Sequence, residues 1–243
     1  MSKRNRLRWK GKQKQWLKSF LAMMAVFTML CTSMPITMLA NPVSYTVYVG
    51  GAEMTVNSDG SNASYYVNGA DGTQGTVSAE EPSTGWNAKL YYDTTAGCVV
   101  LEADGLVVDN AEVLTNFNAA IYSENSIVIM FENVPSIIGG GDTTFNKSAY
   151  GIYCKEDLLL QVNNSGTSIT SIDIDQNRGS GSMSCGIYAS KTTINFDNVT
   201  NELNVNSGRG MNSSAKITAG IYTNNELIFN GGVIRTACGG DGT

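Results

Sequence analysis

Four stretches of this chain are near copies of one another. "AIYSENSIVIMF" begins at Ala120, "GIYCKEDLLLQV" at Gly151, "GIYASKTTINFD" at Gly186 and "GIYTNNELIFNG" at Gly220. The starts lie 31, 35 and 34 residues apart. A steady interval in this range marks stacked repeats, in which each unit buries its apolar side only against its neighbours. Helical repeats share such periods, so the interior pattern has to decide. In the first unit Ile127, Ile129 and Phe131 alternate with Val128 and Met130. The second has Leu158, Leu160 and Val162; the third, after a one-residue deletion, has Thr192, Ile194 and Phe196; the fourth has Leu227 and Phe229. Period two means strand.

Each unit then supplies a further short strand, at Ile137-Ile138, Ile172/Ile174, Leu203/Val205 and Val233-Ile234. Gly, Asn, Ser and Asp fill the gaps ("NNSGTS", "NRGSGSMS", "NSGRGMNSS"), the residues that tolerate tight corners. One unit therefore reads as a G-I-Y strand, a corner, a longer strand, a corner, a third strand and a polar loop. Stacked at about 4.8 Å per coil, such units form three parallel sheets around one core. The expected class is all-β, a β-solenoid over residues 86–243.

Residues 41–85 read as a β-hairpin and a polar loop that cap the solenoid. "SYTVYV" and "AEMTVN" flank Gly50-Gly51, a pair suited to a tight hairpin turn. A short strand is expected around Tyr65–Val67, and two more in "WNAKLYYDTTAGCVVLEADGLVV" around a turn near Thr95–Gly97.

Residues 1–40 read as a secretory signal. Eight Lys/Arg and no acid open the chain, and the apolar run "FLAMMAVFTML" follows from Phe20 to Leu30. A signal helix is expected, with cleavage after Ala40 and Ser33 as a second site. The competing reading is an uncleaved anchor, although Pro35 and several Thr/Ser interrupt the run. The whole chain has 16 basic and 21 acidic residues; without the eight N-terminal bases the net charge is −13. Such a chain repels phosphates, which excludes nucleic acid as a partner and, beyond the signal segment, an anionic membrane. Histidine is absent, which removes His triads, His bases and His metal sites. Cys98, Cys154, Cys185 and Cys238 match no zinc spacing. Export would allow pairing, but four small apolar residues in β positions is the preferred reading.

The words "YTVYVGGAEMTV", "GWNAKLYYDTTAGCVVLEADGL" and the iterated "GIY…DLLL" units resemble a group of exported proteins from anaerobic gut Firmicutes. These are labelled carbohydrate-binding-domain-containing or uncharacterised surface proteins. The resemblance covers about 44–243 and implies a right-handed parallel β-helix at the cell surface or in the secreted fraction. It also implies that the solenoid is cut short, because this chain stops at "ACGGDGT" where the group continues through more coils. Trp86 is followed here by Asn-Ala-Lys-Leu before Tyr91-Tyr92-Asp93, a departure from the group's pattern.

Tyr122, Tyr153, Tyr188 and Tyr222 occupy one place in successive units. An exposed row would suit sugar rings, and a covered row would simply strengthen the stack. With Ile inward, Tyr faces out; strict alternation then sends the flanking Gly out as well and leaves Ser123, Cys154, Ala189 and Thr223 inside, so the opposite assignment stays open. Asp173 and Asp175 share a strand face near Arg178, a pair that could bind calcium or serve a glycosidase, but a solvated outer face explains them more simply. "GGGD" at Gly139–Asp142 and "GGD" at Gly239–Asp241 lack the strict nonapeptide of a calcium β-roll. Asn163, Asn164, Asn177, Asn198, Asn206 and Asn212 sit at coil corners, where hydrogen-bond ladders are their commoner role. The expectation is a non-catalytic exported surface protein, adhesin-like or carbohydrate-binding, with no cofactor or metal. Its partners would be glycans or host or cell-wall polysaccharide, and its last coil, if uncapped, would self-associate. The alternatives are a structural stalk and, behind it, a polysaccharide-active β-helix enzyme.

Overall fold

A computed structural model describes residues 42–70, 74–108, 111–114, 117–132, 136–139, 148–162, 172–174, 183–196, 201–207 and 217–238. The signal segment, Asp175, Arg178, Gly140–Asp142, Gly239–Asp241 and the corner residues Asn163, Asn164, Asn177, Asn198 and Asn212 lie outside the described residues, as do the side chains of Asp173 and Asn206.

The described residues are all strand and loop, with no helix. The hairpin forms as expected from β1 (Ser44–Val49) and β2 (Ala52–Asn57), turning at Gly50 and Gly51 with φ of 55° and 78°. Next come β3 (Ala63–Val67), the unforeseen β4 (Thr76–Ser78), β5 (Ala88–Asp93) and β6 (Cys98–Ala103), with the last two turning at Gly97. Two short strands follow, β7 (Val107–Val108) and β8 (Ala111–Leu114). The first repeat is β9 (Phe117–Ser123), β10 (Ile127–Phe131) and β11 (Ile137–Ile138); the second is β12 (Ser148–Cys154), β13 (Asp157–Val162) and β14 (Ile172–Ile174). In the third, β15 (Met183–Phe196) runs unbroken through the first corner before β16 (Glu202–Ser207); in the fourth, β17 (Ile217–Asn230) does the same before β18 (Val233–Cys238).

Equivalent strands of successive repeats pair in parallel, in three columns. The G-I-Y column runs β9, β12, then the first halves of β15 and β17. The second column runs β6, β10, β13 and the second halves of β15 and β17. The third runs β7, β11, β14, β16 and β18. The alternation read from sequence sets the register. Ile127, Leu158, Thr192 and Leu227 are aligned, as are Ile129, Leu160, Ile194 and Phe229. The one-residue deletion appears as a register shift between Ala189 and Lys191 at the corner.

The array is not uniformly parallel. The expected N-terminal cap is part of the same 13-stranded sheet, which is mixed and nearly closed, barrel-like in outline. β1 lies antiparallel on β9, and β5 lies antiparallel on β6, so hairpin strands end both of the first two columns. A tight turn can only return an antiparallel strand, which accounts for β1 on β2 and β5 on β6, whereas β1 on β9 is a long-range pairing. Among the described strands the first to gain parallel partners are β6, with β10, and β7, with β11, and every described pairing from β10 onward is parallel. The same strands plug the core: Tyr66, Met54, Leu90, Val47 and Val49 join Ile121, Ile129, Phe131, Leu160 and Ile194 in one buried cluster. Each such side chain contributes roughly 1.5–3 kcal/mol on burial. Cys98, Cys154 and Cys185 are buried among these strands.

Candidate functional site

The repeated tyrosines stand on the outer side of the G-I-Y column. Ile121, Ile152 and Ile187 pack into the core, whereas Tyr122, Tyr153, Tyr188 and Tyr222 belong to a separate cluster outside it. The flanking glycine does not follow them outward. Ala120 is a core residue, and a Cβ on Gly220 would stand 3.0 Å from the Val205 carbonyl and the Thr236 side chain across the coil. Strict alternation fails because the ladder is interrupted at this residue. Tyr150 pairs with Cys185 and Ile152 with Ile187, so two inward residues separate the outward Tyr150 and Tyr153. The glycine therefore marks a bend whose inner side has room for almost nothing. This is the physical meaning of "GIY": a small residue at the bend, an aliphatic inward, an aromatic outward.

The four expected tyrosines are brought together, and a fifth joins them. Tyr48, on antiparallel β1, lies beside Tyr122 with centroids 5.9 Å apart. Tyr122 to Tyr153 spans 5.6 Å with planes at 48°, Tyr153 to Tyr188 spans 4.7 Å at 10°, and Tyr188 to Tyr222 spans 5.7 Å at 6°. Rings lying edge to edge in one plane would clash at these separations, so the near-parallel pairs overlap face on face. Ring faces point along the ladder; edges and hydroxyls point away from the sheet. Phe117 and Tyr150 form a second row, with Phe117 stacked on Tyr153 at 4.5 Å and Tyr150 edge-on to Tyr153 and Tyr188 at 4.9 and 5.6 Å. Tyr150 was legible in "AYGIY", but only once the bend is known does it share a side with Tyr153.

Exposure is lowest at Tyr122 and at its neighbour Tyr150. Tyr122 is buried at 4% and Tyr150 at 6%, whereas Tyr153, Tyr188 and Tyr222 are half-buried. Burial pushes the Tyr122 and Tyr150 phenols well above the ordinary tyrosine range, and it raises Tyr153 as well. At Tyr122 the Glu124 carboxylate adds to this by accepting the hydroxyl proton at 2.7 Å. At the other end the Asn224 amide donates to the Tyr188 hydroxyl at 3.0 Å.

The corner beside the ladder is polar and also stacked. Ser126 donates to Glu156 at 3.2 Å, Asn225 donates to Ser190 at 2.8 Å, and Lys191 pairs with Glu226 at 2.7 Å. Behind it the Cys154 thiol faces the Asn125 carbonyl, and burial pushes its pKa up to about 12. A thiol held protonated in this way is a packing group, not a nucleophile. Among the described residues no group of three acids or cysteines is placed to hold a metal ion. The arrangement offers a row of phenol hydroxyls and ring edges with carboxylates and amides along one side. No family model, curated protein or solved structure matches the chain.

Proposed function

We propose that this chain is a non-catalytic exported surface protein whose three columns form a right-handed parallel β-helix, and whose tyrosine face holds glycans. The basic and apolar N-terminal forty residues support export. The repeated order of strands in three parallel columns supports the helix, and parallel crossovers in one sheet are right-handed with few exceptions. The observation that carries the glycan reading is the outer ladder of Tyr153, Tyr188 and Tyr222, half-exposed and bordered by Glu124, Asn224 and Asn225. Sugars present hydroxyls that donate and accept, and C–H groups that lie against aromatic carbon. A repeated row suits a repeated ligand. Affinity is weak, in the micromolar to millimolar range, because a shallow face excludes little water.

Binding of the chain to a glycan array, compared with Tyr153→Phe and Tyr188→Phe, tests this. Phenylalanine keeps the ladder and removes the hydroxyls, so selective loss of a bound glycan supports the site. A chain that binds no polysaccharide, with its fold intact, rejects it.

A second reading, a stalk that spaces other parts from the surface, is favoured by one observation. The near-parallel rings are engaged face to face with one another, as in a ladder that stiffens a stack. Phenylalanine at both positions leaves such a stalk unchanged in every assay.

A further inference from the structure

The tyrosine face has a fixed period and a definite charge. Tyr153 is in register with Tyr122 and Tyr188, and Tyr188 with Tyr222, each on the next parallel strand. Parallel strands lie about 4.8 Å apart, so the row presents one phenol per rung at that step. Tyr153 and Tyr188 each lie between two described rungs, so both are flanked on either side. Two residues beyond each tyrosine a polar side chain stands at the corner: Glu124, Lys155, Ser190 and Asn224. Two of them touch the row, Glu124 at the Tyr122 hydroxyl and Asn224 at the Tyr188 hydroxyl. The faces of Tyr153, Tyr188 and Tyr222 are taken up by one another, with planes 10° and 6° apart. A ligand therefore meets a comb of ring edges and hydroxyls. Ring edges carry the positive end of the aromatic quadrupole and attract oxygen, and a phenol hydroxyl both donates and accepts. Charge adds a second constraint. Lys191 and Glu226 neutralise each other at 2.7 Å, and along the same corner Glu124, Glu156 and Asp157 outnumber Lys155.

Resting on the glycan reading of this face, we infer that its ligand is an uncharged, extended polysaccharide of the cellulose type, laid along the ladder across the strands with one sugar per rung. Equatorial bonds at both ends of each pyranose keep such a chain straight, and it advances by close to one rung per sugar. Its long edge carries a hydroxyl-bearing carbon on every sugar. Tyr153, Tyr188 and Tyr222 can then each bond one sugar without the chain leaving register, and the corner side chains meet the same sugars from the side. A chain of the amylose type fails on the period. An axial bond at every link makes it curl, and it leaves a straight row within a few sugars. A chain of uronic acids fails on the charge. It brings one carboxylate per sugar to a corner where acids already prevail, and the field there repels it.

Titration of the 243-residue chain with three tetrasaccharides, followed by NMR chemical shifts, tests this. The probes are cellotetraose, maltotetraose, and cellotetraose with each primary alcohol oxidised to a carboxylate. Cellotetraose is expected to bind about 10-fold more tightly than maltotetraose, the equivalent of two hydrogen bonds lost out of register. The oxidised tetramer should bind about 5-fold more weakly than cellotetraose at low ionic strength, with the gap closing at about 1 M salt. Lengthening cellobiose to cellotriose should tighten binding by about 2- to 10-fold, one further rung. Tyr188→Phe keeps the ring in the ladder and removes the middle hydroxyl, so it should weaken cellotetraose by about the same factor and leave maltotetraose unchanged. Equal binding of cellotetraose and maltotetraose, or a preference for maltotetraose or for the oxidised tetramer, overturns the inference and leaves the wider glycan reading standing. A preference for cellotetraose that ignores Tyr188→Phe places the site elsewhere and overturns it too. Failure of all three probes to bind also overturns it, and the glycan array then decides whether the wider reading falls with it.

Discussion

Replacing Tyr188 by alanine separates a ladder that supports the fold from one that is incidental to it. The ring touches Tyr153 at 4.7 Å, Tyr222 at 5.7 Å and Tyr150 at 5.6 Å. Aromatic pairs contribute about 0.5–1.5 kcal/mol each beyond the area they bury. Truncation of a fully buried aromatic costs about 3–5 kcal/mol, and Tyr188 is only half-buried, which sets a ceiling. The two bounds meet at about 2–3 kcal/mol. For a chain of this size that lowers the melting temperature by roughly 5–10 °C. Tyr188→Phe keeps all three ring contacts and gives up one exposed hydrogen bond from Asn224, so it costs about 0.5 kcal/mol or less. Thermal and urea unfolding followed by circular dichroism measures both. An alanine variant within about 0.5 kcal/mol of the parent would show that stacking across the rungs contributes nothing, and the argument from ring geometry would fall with it.

Other consequences are as direct. Gly220→Val drives a branched side chain into the Val205 carbonyl and Thr236, so it destabilises by about 1–3 kcal/mol in the same unfolding assay. Thr192→Val should raise the melting temperature, because the Thr192 hydroxyl is buried with no partner among the described residues, in a row shared with Ile127, Leu158 and Leu227; the gain is about 1 kcal/mol. Alkaline pH should weaken the fold. The Tyr122, Tyr150 and Tyr153 phenols are raised above their unfolded values, and Tyr91 reaches about 12, so their stabilisation is complete below the unfolded tyrosine range and is lost as pH climbs through the folded one. Ultraviolet titration should show part of the tyrosine ionising only together with loss of the β signal; a single titration at the free-phenol value, with the fold intact, would contradict this.

Period-two alternation was the most legible property of the chain because one physical demand produces it everywhere: each rung must present the same inward row to the rung above. Ile129, Leu160, Ile194 and Phe229 could be aligned by eye, and the ladder aligns them. The same demand is silent about how the first rung ends. β1 sits on β9, more than sixty residues later in the chain, and the contact uses the ordinary alternation of any hairpin. No local pattern distinguishes a strand that pairs with its neighbour alone from one that also closes a distant column. That is why the N-terminal region reads as a separate cap in the sequence and proves to be continuous with the sheet in the structure.

The tyrosine row was legible as a row, and the side it faces was not, because the alternation rule assumes an unbroken pleat. At Gly151, Gly186 and Gly220 the pleat breaks, so counting by twos from Ile152 gives the right side for Tyr153 and the wrong side for the glycine and for Tyr150. The glycine is itself the clue. A residue that recurs at one place in every coil, and has Ala120 as its one substitute, is under a volume limit, and a volume limit belongs to the inside. Once it is placed inward, two outward aromatics per coil follow in the second repeat, and the face becomes a two-row cluster in place of a single strip. The denser cluster buries Tyr122 and Tyr150, so any ligand is left with the half-exposed Tyr153, Tyr188 and Tyr222.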